Sequence, residues 1–468
     1  MALCLTLRMY LKTQKESPSP PIMGEPYEEN PLLLPHSCGV LPQKLGAGGR
    51  FEIHSYVCFR QSHFESPGFP IWAKKAKMKF EDVKIFGPHD ENTLAQMKMV
   101  VQHEACVGGV LCADGHLGYS VPIGGVIAYD DHISPSGVGF DISCGVRASR
   151  LDIPAKDVKA RIKPIMDDIW NTVSFGMGRR NKVEVEHPLF ESETWHLPAV
   201  KPLKDEARRQ LGTVGSGNHF VDLMADENGH TWVVTHFGSR GLGHKTATYF
   251  LKEGGAKDGM MVEPLVLGAS TALGYDYIQC MALVGEYAYA GRDWVIETVT
   301  NLLGAFVLET VHSHHNYAWL ENHGGRDLWV VRKGATPAFP GQRGFVGGSM
   351  GDDGYILEGV ETPESALALY STVHGAGRAM SRSQAAGKRD FRTGARKSEG
   401  LISKHMMMDW LKEKGVELRG ADTDEAPQAY KRLAKVVKAH GETVKIVHTL
   451  SPMGVAMAGP EIKDPYKD

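Results

Sequence analysis

The sequence predicts a mixed α/β (α+β) fold, and three observations carry that prediction. Short β-rich runs alternate along the chain with apolar residues at helical spacing. No unit of fixed length recurs, which argues against solenoids and propellers. The 468 residues are 42% hydrophobic and 23% charged, close to the globular average and unlike a collagenous, coiled-coil or wholly disordered chain.

Residues Met1 to about Lys75 mix proline clusters (Ser17-Pro-Ser-Pro-Pro-Ile22) and glycines (Gly46-Ala-Gly-Gly49) with no sustained period. They read as an N-terminal extension, 1–75, ahead of a body at 76–468. The texture changes near Phe80, and Leu94, Met97, Val100 and Val101 give Glu91–His103 a helical spacing. Trp232–Thr235 reads as a strand, Tyr277–Tyr289 and Trp294–Val311 as helices. In the second helix Val295, Val299, Leu302, Leu303, Phe306 and Val311 form one face, and Asp293 stands where an N-cap belongs. Such a helix would deliver His312-Ser-His-His-Asn316 in the turn that follows it. Leu328–Val331 and Tyr355–Leu357 read as strands, Ala366–Thr372 as a helix, Asp390–Gly400 as a basic exposed loop and Val444–Val447 as a last strand.

The formal net charge is −3, so attraction to phosphate backbones must come from a local basic patch and not from the whole molecule. The seven cysteines are odd in number and contain no C-x-x-C, which encodes neither a disulfide framework nor a zinc knuckle. A reducing compartment follows as the expectation. No apolar run approaches the ~18 residues of a membrane span, and Met1–Tyr10 lacks the length and cleavage site of a signal peptide. The chain therefore reads as cytoplasmic. Glycine, at 53 residues against a usual share of about 7%, points to tight turns and close ligand approach. The 21 histidines invite a search for metal or proton chemistry.

Four segments offer that chemistry. Asp141 and Cys144 stand three apart in Gly137-Val-Gly-Phe-Asp-Ile-Ser-Cys-Gly145, where a carboxylate and a thiolate can aim at one centre; taken alone, such a pair reads more readily as an Asp turn beside a buried free cysteine. His219 follows a glycine-rich approach, and His236 ends a β-rich run that opens into glycines, the kind of strand-to-loop junction where ligating residues collect. His312, His314 and His315 form the third group, and spacing does not say which of them matters. One carboxylate, one thiolate and imidazoles suit Zn²⁺ or Mn²⁺, and a thiolate can bridge two ions. The fourth segment is His374-Gly-Ala-Gly-Arg378, in which backbone N–H groups and Arg378, with Arg382, Lys388 and Arg389 nearby, would surround a nucleophilic imidazole with anion-binding groups. Its plainer reading is a capped helix end with an incidental histidine.

In this order, Asp114-Gly-His-Leu-Gly-Tyr-Ser-Val-Pro-Ile-Gly-Gly125, the Asp141/Cys144 turn, Gly217-Asn-His-Phe220, His236-Phe-Gly-Ser-Arg-Gly-Leu-Gly243, His314-His-Asn-Tyr317, Gly348-Ser-Met-Gly351 and His374-Gly-Ala-Gly-Arg378 resemble the RtcB family of RNA-splicing ligases. The resemblance spans about Glu91 to Gly459. It implies a fold of packed central β-sheets surrounded by helices, with 76–468 as the catalytic domain. It also implies an enzyme that joins RNA 2′,3′-cyclic phosphate or 3′-phosphate ends to 5′-hydroxyl ends, using GTP and two Mn²⁺ ions. By motif, Asp141, Cys144 and His219 would hold one ion, and Cys144, His236 and His315 the other. His374 would attack the α-phosphate of GTP to give a histidine–GMP intermediate. The guanylate would lie against Asn218, His219, Phe220, Val221, Asp222, His315, Asn316, Gly347, Gly348, Ser349, Met350, His374, Gly375, Ala376, Gly377 and Tyr430.

Three positions depart from the family pattern. Asp222 stands where the family usually has Glu, Gly354 where it has a second hydroxyl, and Val455-Ala-Met457 where it has V-x-K-G; Lys463 or Lys467 is a candidate substitute from the tail that nothing in the sequence shows to act there. The departures fall in the base-reading groups and leave the metal and nucleophile motifs whole, as in an RNA-repair paralogue. Two other readings stand beside the ligase: a metal-dependent phosphoesterase that opens cyclic phosphates without nucleotidylation, and a non-catalytic RNA-end binder. Some family members also use an archease-type activator.

Overall fold

The computed structural model describes residues 78–257, 259–388 and 397–461. The 1–75 extension, most of the Asp390–Gly400 loop, and Arg389, Lys463 and Lys467 lie outside the described residues. Two antiparallel-rich sheets dominate. In the larger, the strands run in the order Arg343–Val346, Gly354–Gly359, Val444–Met457, Phe220–Asp226, His230–Phe237, Gly145–Pro154 and Val307–His314, with Glu417–Arg419 added parallel to Val444–Met457. Its first and last strands approach each other, bridged by Arg343 Nη1 to Glu309 Oε1 at 2.8 Å, so the sheet nearly closes as a barrel. The smaller sheet runs Lys84–Ile85, Cys106–His116, Ile123–Tyr129, Arg326–Lys333 and Asn316–His323. Helices pack around both, in agreement with the mixed fold the sequence predicts.

Residue alternation explains the layers. Val146, Ala148, Met224, Trp232, Val234, Val311, Phe345, Ile356 and Leu450 fill the barrel interior. The opposite faces of the same strands, including Leu151, Val221, Leu223 and Val233, pack on Met166, Ile169, Val295, Ile296 and Val299 of surrounding helices. Each buried side chain of this size contributes roughly 1.5–3 kcal/mol. Among the described residues, no helix is long and apolar enough to cross a membrane.

The strands foreseen at Trp232–Thr235, Leu328–Val331 and Tyr355–Leu357 lie within longer observed ones, and Val444–Val447 begins a strand that continues to Met457. The helix at Glu91–Val100 is present, capped by Asp90 Oδ1 accepting from Thr93 N–H at 3.0 Å. The two helices read at Tyr277–Tyr289 and Trp294–Val311 are one helix, Ala272–Leu303, capped by Thr271. Asp293 is therefore inside it and not a cap. The helix stops at Gly304, which takes a left-handed conformation (φ 63°), and the apolar run beyond it is the strand Val307–His314 with Phe306 exposed. The Ala366–Thr372 segment likewise divides into a short helix, Pro363–Leu367, and the strand Ser371–Val373.

Candidate active site

Register brings the candidate ligands to one rim of the barrel. Gly145 pairs with both Phe237 and His314, and Phe220 pairs with His236. Cys144, His219, His236 and His315 therefore sit on adjacent strand ends, although they come from four separate segments. At His315 the chain leaves the large sheet and, from Asn316, enters the small one. The same crossing places Ala335–Pro337 against Ser371–Val373, so His374 emerges beside this rim.

Two donor sets result, Asp141/Cys144/His219 and Cys144/His236/His315, each with its ligand atoms within 4.8 Å of one another and with Cys144 shared. Cys144 Sγ lies 3.5 Å from His219 Nε2 and 3.3 Å from His236 Nε2; His236 Nε2 is 3.4 Å from His315 Nε2, and His219 Nε2 is 3.1 Å from Asp141 Oδ2. His236 Nδ1 faces the Asn218 carbonyl at 3.0 Å. A carbonyl only accepts, so Nδ1 carries the proton and the Nε2 lone pair points at the cluster. Burial holds His236 down to about 3 and His315 well below the usual imidazole range. Desolvation works against the Asp141 carboxylate, yet His219 beside it outweighs that and draws it down to about 2. Burial, with Asp141 adjacent, pushes the Cys144 thiol well up. Neutral imidazoles at His236 and His315, an ionised carboxylate and a thiol that needs a cation to ionise form a set that fits divalent metal.

The turn carrying Asp141 and Cys144 is tightly held. Ser143 is left-handed (φ 60°), its N–H donates to Asn316 O at 2.7 Å, and its hydroxyl meets His314 Nδ1 at 2.6 Å. Asn316 Nδ2 donates to Asp141 O at 3.2 Å and Gly334 N–H to Asn316 Oδ1 at 2.7 Å. Of the three clustered histidines, only His315 therefore joins the donor sets; His314 braces the turn and His312 accepts from Arg292 Nε at 2.8 Å.

His374 stands against the metal-type cluster, its ring centroid 5.0 Å from that of His315. Its Nδ1 lies 2.6 Å from Asp114 Oδ2, which also accepts the His374 backbone N–H at 3.0 Å. Asp114 is fully buried; desolvation opposes its charge, but His374 holds its carboxyl below the usual range. The carboxylate is anchored to the His374 backbone by a hydrogen bond and approaches the ring at Nδ1 as a close charge contact without hydrogen-bond alignment. Glycine is required at 377, where φ is +70° and a Cβ would collide with the Asp114 carbonyl.

These groups line one cleft of about 700 Å³. Asp141, Cys144, Asn218, His219, Phe220, Asp222, His236, His315, Asn316, Gly347, Gly348, Ser349, Met350, His374, Gly375, Ala376, Gly377 and Tyr430 all contribute. Val221 does not: strand alternation turns its side chain into the apolar layer outside the barrel. Arg378 and Arg382 are not free cations beside His374. Arg378 donates to Asp424 O (2.7 Å), Glu425 (3.3 Å) and Tyr430 Oη (3.2 Å), and Arg382 pairs with Asp424 and Glu425. Of the departing positions, Asp222 and Met457 line the cleft, Asp222 buried with Oδ1 unpartnered and Met457 in one apolar cluster with Met350; Gly354 does not line it, but lies against Phe345, which does. Burial alone pushes Asp222 well up.

Sequence reasoning gave no role to Asp114, Arg292 or Lys333. Lys333 is buried in the cleft wall, donates to Tyr119 O at 2.6 Å, and is lowered by burial to about 7. Its signal was a cation pair, Arg332-Lys333, closing an apolar run before Gly334.

Comparison with known proteins agrees with this geometry. A family model described as tRNA-splicing ligase RtcB matches residues 92–200 and 193–458. The RNA-splicing ligase RtcB of Escherichia coli K12 is 32% identical over 392 residues, covering 76% of this chain and 90% of that protein. The tRNA-splicing ligases RtcB of Archaeoglobus fulgidus and Aeropyrum pernix are 34% and 30% identical, covering 75% and 80% of this chain and 87% and 93% of their own.

Proposed function

The chain belongs to the RtcB family, and from that premise we propose that it is an RNA ligase joining 2′,3′-cyclic phosphate or 3′-phosphate ends to 5′-hydroxyl ends through a histidine–GMP intermediate. One observation supports this beyond membership. His374, with a buried carboxylate 2.6 Å from its Nδ1, shares a cleft with two donor sets that meet at Cys144.

In this reading Asp141, Cys144 and His219 hold one Mn²⁺, and Cys144, His236 and His315 the other. When bound, the two cations neutralise phosphate charge and polarise phosphoryl oxygens. Asp114 favours the proton on His374 Nδ1, and Nε2 attacks the α-phosphorus of GTP; an N–P bond forms, the bond to the β-phosphate oxygen breaks, and pyrophosphate leaves. A 2′,3′-cyclic phosphate is first opened by water, which adds at phosphorus as the bond to O2′ breaks and O2′ takes a proton; an oxygen of the resulting 3′-phosphate then takes the guanylate, restoring the imidazole. The 5′-hydroxyl attacks the activated 3′-phosphate, loses its proton, and expels GMP. The glycine turns Gly347–Gly348 and Gly375–Gly377 bring backbone close to the nucleotide. A cytoplasmic setting, an N-terminal extension ahead of the catalytic domain and an archease-type activator belong to the same reading.

The test uses purified protein and His374→Ala with Mn²⁺ and α-labelled GTP, ATP or CTP, run on denaturing gels before and after mild acid. Acid-labile label on the wild type alone is expected, because a phosphoramidate hydrolyses in acid. The parallel nucleotides matter because Asp222, Gly354 and Met457 alter the base end of the cleft. Absence of label with every nucleotide, with Mn²⁺ bound, would overturn nucleotidylation in favour of the phosphoesterase or the RNA-end binder.

A further inference from the structure

Arg292 lies in the middle of the Ala272–Leu303 helix, where the neighbouring positions Tyr287, Ala288, Val295 and Ile296 are buried and apolar. A guanidinium there is costly unless its donors are met, and it is fully buried. Nε and Nη1 reach three acceptors, while Nη2 is buried without a partner. Nη1 donates to Ser143 O at 2.9 Å and to Phe237 O at 2.7 Å, and Nε donates to His312 Nε2 at 2.8 Å.

Each partner adjoins a different candidate ligand. Ser143 precedes Cys144, Phe237 follows His236, and His312 lies three residues before His315 on the strand that delivers it. The three ligands of one donor set thus come from three segments, and a single side chain from a fourth element grips all three. Because His312 Nε2 accepts, that ring carries its proton on Nδ1, which faces Asp293 Oδ1 at 3.4 Å; Asp293 in turn pairs with Arg147. Gly291 lets the helix pack closely on this strand, since a Cβ there would sit 3.2 Å from the Phe237 ring.

We propose that Arg292 is a positioning residue that pre-assembles the Cys144/His236/His315 set for its metal ion by tying the three segments that carry it to one rigid guanidinium. This rests on the two-ion reading of the site. A planar fork suits the task because its donors leave in fixed directions, whereas a lysine ammonium on a flexible stem does not hold three acceptors at set angles. Partners behind metal ligands commonly matter by 10–100-fold in affinity.

The experiment titrates cobalt(II) alone into metal-free full-length protein and follows stoichiometry, affinity and the visible d–d spectrum, which reports ligand geometry. Wild type, Arg292→Lys, Arg292→Met and Met166→Ala are compared, the last a cavity in a helix-packed layer of the core that touches no candidate ligand. Expected are two cobalt ions on the wild type, one of them weakened about 10-fold or more with a changed spectrum in both Arg292 variants, and an unchanged spectrum in Met166→Ala despite its lower Tm. A merely structural arginine would lower Tm and leave affinity and spectrum as in the wild type, which would overturn the proposal. Failure of the wild type to bind cobalt would instead overturn the two-ion reading itself. Should the Arg292 variants not fold, His312→Asn is read the same way: it releases only the strand of His315, and a wild-type spectrum from it would count against the tether.

Discussion

At the scale of single residues, the Asp114–His374 contact decides whether the cleft holds a nucleophile. In the proposed reaction the carboxylate 2.6 Å from Nδ1 favours the proton on that nitrogen and stabilises the charge that builds on the ring as Nε2 bonds to phosphorus. Asp114→Asn retains shape but removes that charge. It should lower the rate of nucleotide labelling by about 10²–10⁴-fold while leaving metal stoichiometry as in the wild type, because Asp114 belongs to neither donor set. Single-turnover labelling at saturating Mn²⁺ measures it, and an undiminished rate would remove Asp114 from the chemistry. The partnership was not legible in the chain. Asp114 and His374 lie 260 residues apart, and nothing in the glycine-rich surroundings of either announces a carboxylate–imidazole pair. The candidate ligands Asp141, Cys144, His219 and His236 were more legible, since each lies in a glycine-containing turn or strand junction; His315 has no such flank, and Asn316 and His314, which brace the turn, became separable from it only through their bonds.

At the scale of elements, strand register assembles the site, so a register error should disable it. Gly145 pairs with Phe237 on one side and His314 on the other, and a Cβ there would collide with Ser313 O and lie 2.6 Å from His314 Cα. Gly145→Ala must push apart the strands that carry Cys144 and His315. Overpacking of this kind costs about 1–3 kcal/mol, and the variant should bind Mn²⁺ with reduced stoichiometry by elemental analysis after dialysis. Full wild-type Mn²⁺ content in a folded Gly145→Ala would show that the rim tolerates strand separation. The same region shows why the sequence misled on element boundaries. Leu302, Leu303, Phe306 and Val307 extend a helical apolar spacing past the true end of the helix, but Leu302, Phe306 and Val307 are exposed. The stop was written in Gly304, a left-handed C-terminal glycine, and the apolar spacing that continued past it carried the reading on to Val311.

At the scale of the whole molecule, the sheets and their helices enclose several imidazoles, among them His236, His315 and His440. The mixed fold was legible because period-2 and period-3.6 runs survive in local sequence; the near closure of the large sheet was not, because strands as distant as Arg343–Val346 and Val307–His314 meet only through tertiary packing. Enclosure has a consequence for stability that does not depend on the reaction. His440, fully buried and stacked on Phe86, accepts the Ala113 N–H on Nε2 at 3.2 Å, and burial lowers it to about 4; His116 is lowered to about 4 in the same way. Both are neutral when folded and titrate near 6.5 when unfolded. Between those values the unfolded chain binds protons that the folded protein refuses, so stability is full above about pH 6.5 and falls as pH drops towards 4, by up to about 1.4 kcal/mol per pH unit for each group. Denaturant midpoints of metal-free protein in chelator should therefore decline from pH 7 to pH 5, a range that lies above the carboxylate Asp141. His440→Gln, whose amide oxygen can still accept from Ala113, should decline less steeply by about one group's share. Equal slopes for wild type and His440→Gln would mean that this imidazole takes up its proton without unfolding, and that the enclosure around Phe86 opens to water well before the sheets come apart.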